Sequence, residues 1–259
     1  VRFAGISNLY GASNIDILAS AKILVVGLGG VGSWAAESLA RSSIGNLDLL
    51  DLDDICTSNI NRQIHALNNT VGISKAQAML ERIKQINPAC NVRVHEDFLT
   101  VDNLTAYVTP DINIVIDCID SVRVKAALIA WCKRYKIKII TTGASGGKTC
   151  PTYIQITDLS KTYNDPLSAK VRSTLRHDYN FTRNRQRTFG VPCVFSAEQM
   201  RYATSCGAIS FAKTGAKSGI NCTSGLGSSC MVTASFGLFA ASLAVNKLTH
   251  QSQKILVKR

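Results

Sequence analysis

Four glycines stand close together in Gly27-Leu28-Gly29-Gly30-Val31-Gly32. Such spacing lets phosphate oxygens approach bare backbone N–H groups, and here the run succeeds an apolar stretch and opens a helical one. Asp51 comes nineteen residues after Gly32, at the end of the next apolar stretch. A carboxylate at that position accepts ribose hydroxyls. The bland alternative is a tight turn with no ligand. Taken alone, these residues suggest a site for a nicotinamide or flavin dinucleotide.

The residues after Asp51 point to a more highly charged ligand. Ser58-Asn59-Ile60-Asn61-Arg62-Gln63 comes soon after Asp51 and Asp53, and Lys75 opens the next helix. A dinucleotide pyrophosphate carries about two negative charges, which glycine N–H groups and a helix dipole largely satisfy. A nucleoside triphosphate carries about four and needs basic side chains or a metal as well. Arg62 and Lys75 could supply the side chains. Singly, Arg62 reads as well as a surface ion pair, and Lys75 as a solvated first-turn residue. Asp117-Cys118-Ile119-Asp120 ends a further apolar run. In a doubly wound sheet the carboxyl ends of strands 1, 2 and 4 meet at one crevice, which aims Asp120 at Gly29 and Asp51. A carboxylate facing phosphates calls for a cation between them, usually Mg2+. The competing reading makes Asp120 the N-cap of a helix over 121–135.

The elements that must position these residues are legible as patterns. Strands are expected at 22–27, 47–52, 92–95, 112–117 and 137–141, and helices at 28–43, 74–87 and 121–135. Their alternation implies an α/β, doubly wound, mostly parallel sheet over residues 1–150. Residues 151–259 extend it: strands at 153–157 and 191–196, a helical start at 166, loops over 205–229 and an apolar helix at 231–248. That last helix is near the lower length limit for a membrane span and reads better as packed on the sheet.

The 259 residues are 46% hydrophobic and 18% charged, which excludes disorder. Residues 1–150 carry 15 basic and 13 acidic side chains, and residues 151–259 carry 14 and 4, so the net charge of +12 sits mainly in the second part. Such asymmetry suggests a polyanionic partner, nucleic acid or an anionic membrane. Lys170, Arg172, Arg176, Arg183, Arg185 and Arg187 fall in one segment, interleaved with Tyr179, Phe181 and Phe189. Cations contact phosphates and aromatic rings stack on splayed bases, although a solvated charged face is the commoner fate of such a run. None of the nine cysteines forms a C-x-x-C pair, which disfavours a zinc ribbon and suggests reduced thiols in a cytoplasmic setting.

The motifs G-L-G-G-V-G, L-L-D-L-D, S-N-I-N-R-Q, V-G-I-S-K and D-C-I-D together resemble the adenylating enzymes related to ubiquitin activation. That family includes the activators of molybdopterin and thiamine sulfur carriers. Within it the chain is most similar to the tRNA threonylcarbamoyladenosine dehydratases. The wider markers are Leu9-Tyr10-Gly11 and segments 61–67, 119–123, 141–143, 194–196 and 222–227. The resemblance implies a Rossmann-like fold with ATP and Mg2+. It also implies that Asp51 binds ribose, that Asn59, Arg62 and Lys75 bind phosphates, and that Asp120 serves magnesium and catalysis. Gly27, Gly29, Gly30, Gly32, Asp53 and Gln63 complete the expected nucleotide site. Two positions depart from the family: Asn8 replaces an arginine expected to reach ATP, leaving Arg2 as a substitute, and Ser145 interrupts a glycine-rich segment.

The resemblance further implies a tRNA anticodon loop as substrate and a homodimer, with a cysteine desulfurase or sulfur acceptor as a further partner. The threonyl carboxylate would attack the α-phosphorus of ATP, and the carbamoyl nitrogen would then close a ring and release AMP. No enzyme thiol is needed, although Cys193, Cys206 and Cys222 are candidates for a covalent intermediate. The main rival is adenylation of the C-terminal glycine of a ubiquitin-like sulfur carrier. A non-catalytic tRNA- or membrane-binding module and an NAD-dependent oxidoreductase are the others.

Overall fold

A computed structural model describes residues 2–204, 207–212 and 226–249. Two helices open the chain, α1 (Ala4–Tyr10) and α2 (Ala12–Ser20). Next come β1 (Lys22–Val26), α3 (Gly32–Arg41), β2 (Asn46–Leu50), α4 (Lys75–Ile86), β3 (Asn91–His95) and the short α5 (Leu104–Tyr107). β4 (Ile114–Asp117), α6 (Val122–Arg134), β5 (Lys138–Thr142), β6 (Ile154–Asp158), α7 (Pro166–Asp178) and β7 (Pro192–Ser196) continue the chain. A small hairpin, β8 (Tyr202–Ala203) and β9 (Ile209–Ser210), precedes the last helix, α8 (Cys230–Leu248).

The main sheet has the order β3-β2-β1-β4-β5-β7-β6. All neighbours are parallel except β6, which runs antiparallel to β7 at the edge. Alternation along β1 explains the two layers. Ile23 and Val25 join the core formed with α3 and α8, while Leu24 and Val26 join the core on the α6 side. Burying each such side chain contributes about 1.5–3 kcal/mol, so β1 anchors both layers. Strand order reverses between β1 and β4, and ligands of open α/β sheets bind at the carboxyl ends beside that point.

Helix boundaries reflect local chemistry. α3 starts at Gly32, four residues later than the pattern suggests, because residues 28–31 make the glycine turn. Ser74 Oγ accepts the Gln77 N–H at 3.4 Å and caps α4. Pro166 begins α7, and the Asp165 side chain caps it by accepting the Ser168 N–H at 2.8 Å. α8 lies against α3 across Gly237, where a Cβ would stand 2.5 Å from the Val31 carbonyl oxygen. Phe236, Ala240 and Ala244 are buried there, so the helix is packed on the sheet as expected, although its length and apolarity would also suit a span. α1 has no buried residue, which explains why no apolar period announced it.

α7 fixes which end of the molecule carries the basic loop. Its cap, Asp165, accepts the Ala144 N–H at 2.9 Å, just beyond the carboxyl end of β5. Thirteen residues, about 20 Å of helix, then lead away from that end. The chain returns through 179–190 to the first residue of β7, where Asp158 accepts the Phe189 and Val191 N–H groups at 2.9 Å each.

Candidate active site

The glycine run makes the turn between β1 and α3. Gly27 has φ +85°, and a Cβ on Gly32 would lie 1.8 Å from the Gly27 carbonyl oxygen, so neither position takes a side chain without rebuilding the turn. Gly32→Ala is expected to cost more than the roughly 1–3 kcal/mol of ordinary overpacking, read as loss of a cooperative melt. At Gly29 an added Cβ would meet nothing within 4 Å among the described residues, which leave the backbone there bare. Beside Gly30 runs the Arg62 side chain, whose Cγ lies 3.1 Å from where a Cβ would stand. The 118–119 segment closes the other wall, with the Cys118 carbonyl oxygen 3.2 Å from an added Gly27 Cβ.

Asp51 is buried at the foot of this turn. Its Oδ2 accepts the Leu28 N–H at 2.6 Å and its Oδ1 the Asp53 N–H at 2.9 Å. Burial raises its pKa, opposed by Lys75 and by those two N–H groups. Lys75 is buried as well, with Nζ 2.6 Å from Asp53 Oδ2 and 4.0 Å from Asp51 Oδ1. The solvated first-turn reading of Lys75 therefore fails. Its charge is already offset by two carboxylates, of which Asp53 is exposed. Arg62 makes no ion pair among the described residues: Nη1 donates to the Ser58 carbonyl at 2.7 Å and to Asn61 Oδ1 at 3.1 Å. Buried Asn59 accepts the Cys56 N–H at 3.1 Å and holds the turn that presents Arg62. Gln63 is buried, and its Oε1 has no partner among the described residues.

Asp120 is exposed, and its carboxylate makes no bond or ion pair among the described residues. Ser121 occupies the N-cap position of α6, and no side chain caps that helix. The capping reading of Asp120 is thus not what the structure contains.

Sequence reasoning missed three supporting groups. Asp117 and Lys125, both essentially unexposed, form a buried pair at 3.0 Å. Asp117 also accepts the Ile119 N–H at 3.1 Å and the Thr141 hydroxyl at 2.7 Å, while Lys125 donates to the Ile119 carbonyl at 2.9 Å. Together they fix the segment that carries Asp120. Lys148 is also buried, giving its protons to the carbonyls of Asn164 (3.1 Å), Ser196 (3.4 Å) and Glu198, and burial lowers its pKa. It ties the segment after β5 to the one after β7.

The third is His65, 2% exposed. Its Nε2–H donates to the Leu28 carbonyl at 3.0 Å, while Nδ1 has no partner among the described residues. Burial pushes its pKa down to about 4. An unfolded histidine titrates near ~6.5, so below that pH the unfolded chain takes up a proton that the folded chain refuses. Stability is then lost as pH falls from ~6.5 to ~4, by at most about 3 kcal/mol. Urea midpoints at pH 7 and pH 4.5 are expected to fall less in His65→Gln than in the parent, and equal falls would count against this.

Several expectations need correction. Phe189 is buried, Phe181 packs edge-on against it at 5.0 Å, and Tyr179 joins the same core, so these rings are not free to stack on bases. Arg176 lies 5.3 Å over the Phe189 ring and Arg172 donates to the Thr162 hydroxyl, whereas Lys170, Arg183, Arg185 and Arg187 are exposed. The last three sit at the amino end of the parallel strands, opposite the crevice. Arg2 binds the Ile86 carbonyl at 3.1 Å, at the far end of α4 from Lys75, and does not substitute for the expected arginine in its own chain's crevice. Cys193 is buried with its thiol pushed up to about 12, which removes it as a nucleophile; Cys206 and Cys222 lie outside the described residues. On the crevice end the structure instead offers a cleft of about 270 Å3 beside Pro166, walled by Arg172, Tyr202 and Phe211.

The ThiF family profile matches residues 4–258. The chain belongs to the ThiF family. Two ThiF relatives named tRNA threonylcarbamoyladenosine dehydratase are close in sequence. That of Escherichia coli is 51% identical over 95% of this chain and 93% of its own. That of Haemophilus influenzae is 49% identical, with the same shares covered. A solved structure described as the Escherichia coli tRNA N6-threonylcarbamoyladenosine dehydratase in complex with ATP superposes with TM-score 0.86 at 48% identity, over 97% of this chain and 95% of that one. The seven-stranded sheet is therefore the fold of a ThiF adenylating enzyme, and the dinucleotide oxidoreductase and non-catalytic readings fall away.

Proposed function

We propose that this chain dehydrates threonylcarbamoyladenosine in a tRNA anticodon loop, using ATP. The similarity to two relatives named tRNA threonylcarbamoyladenosine dehydratase carries the choice of substrate. The Asp120 carboxylate, which has no partner among the described residues and stands beside the glycine turn and buried Asp51, supports the adenylation step. The crevice fits a triphosphate: Gly29 leaves room, and Asp51 keeps lone pairs for ribose hydroxyls after accepting two N–H groups. Gly27, Gly29, Gly30 and Gly32 present the α3 N-terminus to phosphate oxygens. Arg62, on the turn held by Asn59 and Gln63, faces the phosphates, and Lys75 with Asp53 sets the charge beneath them.

The substrate carboxylate oxygen attacks the α-phosphorus and pyrophosphate leaves. The carbamoyl nitrogen then attacks the acyl carbon, loses its proton, and AMP departs with the carboxylate oxygen, for a net loss of water. Ring closure is intramolecular, so positioning supplies much of the acceleration. Among the described residues no group of three or more His, Cys, Asp or Glu side chains could hold a metal ion. Mg2+ suits a site built from substrate phosphates plus one carboxylate, here Asp120, where it would spread the phosphate charge.

Lys170, Arg172, Arg183, Arg185 and Arg187 are the RNA contacts in this reading, with Arg176 bracing the loop. The cleft at Arg172, Tyr202 and Phe211 takes loop nucleotides. Exposed Leu9 and Ile17 on the first helices and Leu238 and Phe239 on α8 support a homodimer. A cytoplasmic enzyme served by a sulfur-acceptor partner fits the family, and the buried face of α8 disfavours membrane contact. Incubation with threonylcarbamoyladenosine-containing tRNA, ATP and Mg2+ should lower the nucleoside mass by one water. ATP–pyrophosphate exchange stimulated only by a carrier protein ending in Gly-Gly would overturn the reading.

A further inference from the structure

The amino end of the sheet, opposite the crevice, carries a second concentration of chemistry that adenylation leaves unused. A cleft of about 290 Å3 opens there, between the last turn of α6, the starts of β5 and β7, and the end of α8. Lys133, Lys136, Lys138 and Lys247 line it together with Gly190 and Pro192, and no acidic side chain does among the described residues. None of the four lysines forms an ion pair among the described residues. Lys133 Nζ donates to the Gly190 carbonyl at 3.3 Å, which joins the cleft to the loop carrying Arg183, Arg185 and Arg187. Lys161 binds the Arg185 carbonyl at 2.6 Å and adds its charge to the same loop. Of the carboxylates near the loop, Asp158 is occupied by the N–H groups of Ser160, Phe189 and Val191, and Asp178, at the end of α7, is bonded to His177 Nδ1.

Helix dipoles explain part of this. Lys133 and Lys247 lie in the last turns of α6 and α8, where cations are favoured. They do not explain Lys138, which begins a strand, or Lys136. Lys136 has φ +58°, the left-handed conformation that ends a helix and that glycine usually fills. The Ile137 N–H closes that helix end on the Cys132 carbonyl at 2.9 Å. A lysine there sacrifices stability and keeps a cation. Burial and neighbouring Lys138 also lower the Lys247 pKa, a like-charge conflict that a bound anion relieves.

We infer that this cleft and the adjoining arginine loop form a docking site for the phosphate backbone of RNA, remote from the reacting nucleoside. The choice of RNA as the polyanion rests on the proposed tRNA-modifying function. Such a site holds the body of a long substrate while its loop reaches the crevice, and it adds affinity without touching the chemistry.

The test uses an unmodified RNA hairpin as probe, with affinity measured by fluorescence anisotropy across salt concentrations. Lys133→Gln/Lys138→Gln is expected to weaken binding about tenfold and to reduce the log–log salt slope by roughly 0.7–0.9 per lost phosphate contact. ATP binding by calorimetry should not change. Lys136→Gly should raise the melting temperature and yet weaken RNA binding, opposite signs that a purely structural lysine would not give. Unchanged affinity and slope in both variants would overturn the inference. So would loss of binding to phosphatidylserine vesicles with RNA binding intact. If the parent binds the hairpin through this cleft but fails to dehydrate modified tRNA, the enzymatic reading falls and the docking site stands.

Discussion

Asp120→Asn should form AMP in single turnover at least about 10^2-fold more slowly than the parent, while melting and binding ATP almost normally. The carboxylate is exposed and bonds to nothing among the described residues, so its removal disturbs no packing and should stay within about 0.5 kcal/mol in stability. In the proposed reaction its charge would act only once ATP, with the Mg2+ proposed for it, occupies the crevice, and losing one group that stabilises transition-state charge typically costs about 10^2–10^3 in rate. A structural Asp120 would give the opposite result, with normal turnover and a lowered melting temperature. Rate loss below tenfold would remove Asp120 from the reaction.

Lys125→Met should lower the melting temperature by roughly 10 °C. Lys125 is 1% and Asp117 0% exposed, so the variant strands a buried carboxylate, at a cost of about 3–5 kcal/mol. Adding Asp117→Asn should recover part of the loss, because an amide needs no counter-charge. Activity should fall in the folded single variant too, since Asp117 and Lys125 both grip Ile119, the residue before Asp120. A shift of only a degree or two would mean that solvent or a rearranged loop already satisfies Asp117.

The two halves of the crevice differ in how far the residues alone reveal them. β1, the glycine turn, α3 and Asp51 are legible because each depends on local pattern: an apolar run, a tight turn, a helical period and a carboxylate at the next strand end. Lys125 is not, because a lysine in a helix reads as solvated unless its partner, eight residues earlier across a turn, is known to be buried. Lys148 escapes for the same reason, with its carbonyl partners scattered from Asn164 to Glu198. The arginine–aromatic alternation over 176–189 is visible, but nothing in it tells inward rings from outward ones. Nor can composition say which end of the sheet the loop reaches; the thirteen residues of α7 decide that.

In the proposed reaction the substrate acid group takes the α-phosphorus of ATP. Modified tRNA carrying 18O in the threonyl carboxylate tests this most directly, by mass analysis of the released nucleotide. One 18O atom in AMP and none in inorganic phosphate is the expected result. Label in inorganic phosphate with ADP as the other product would show attack at the γ-phosphorus and contradict it.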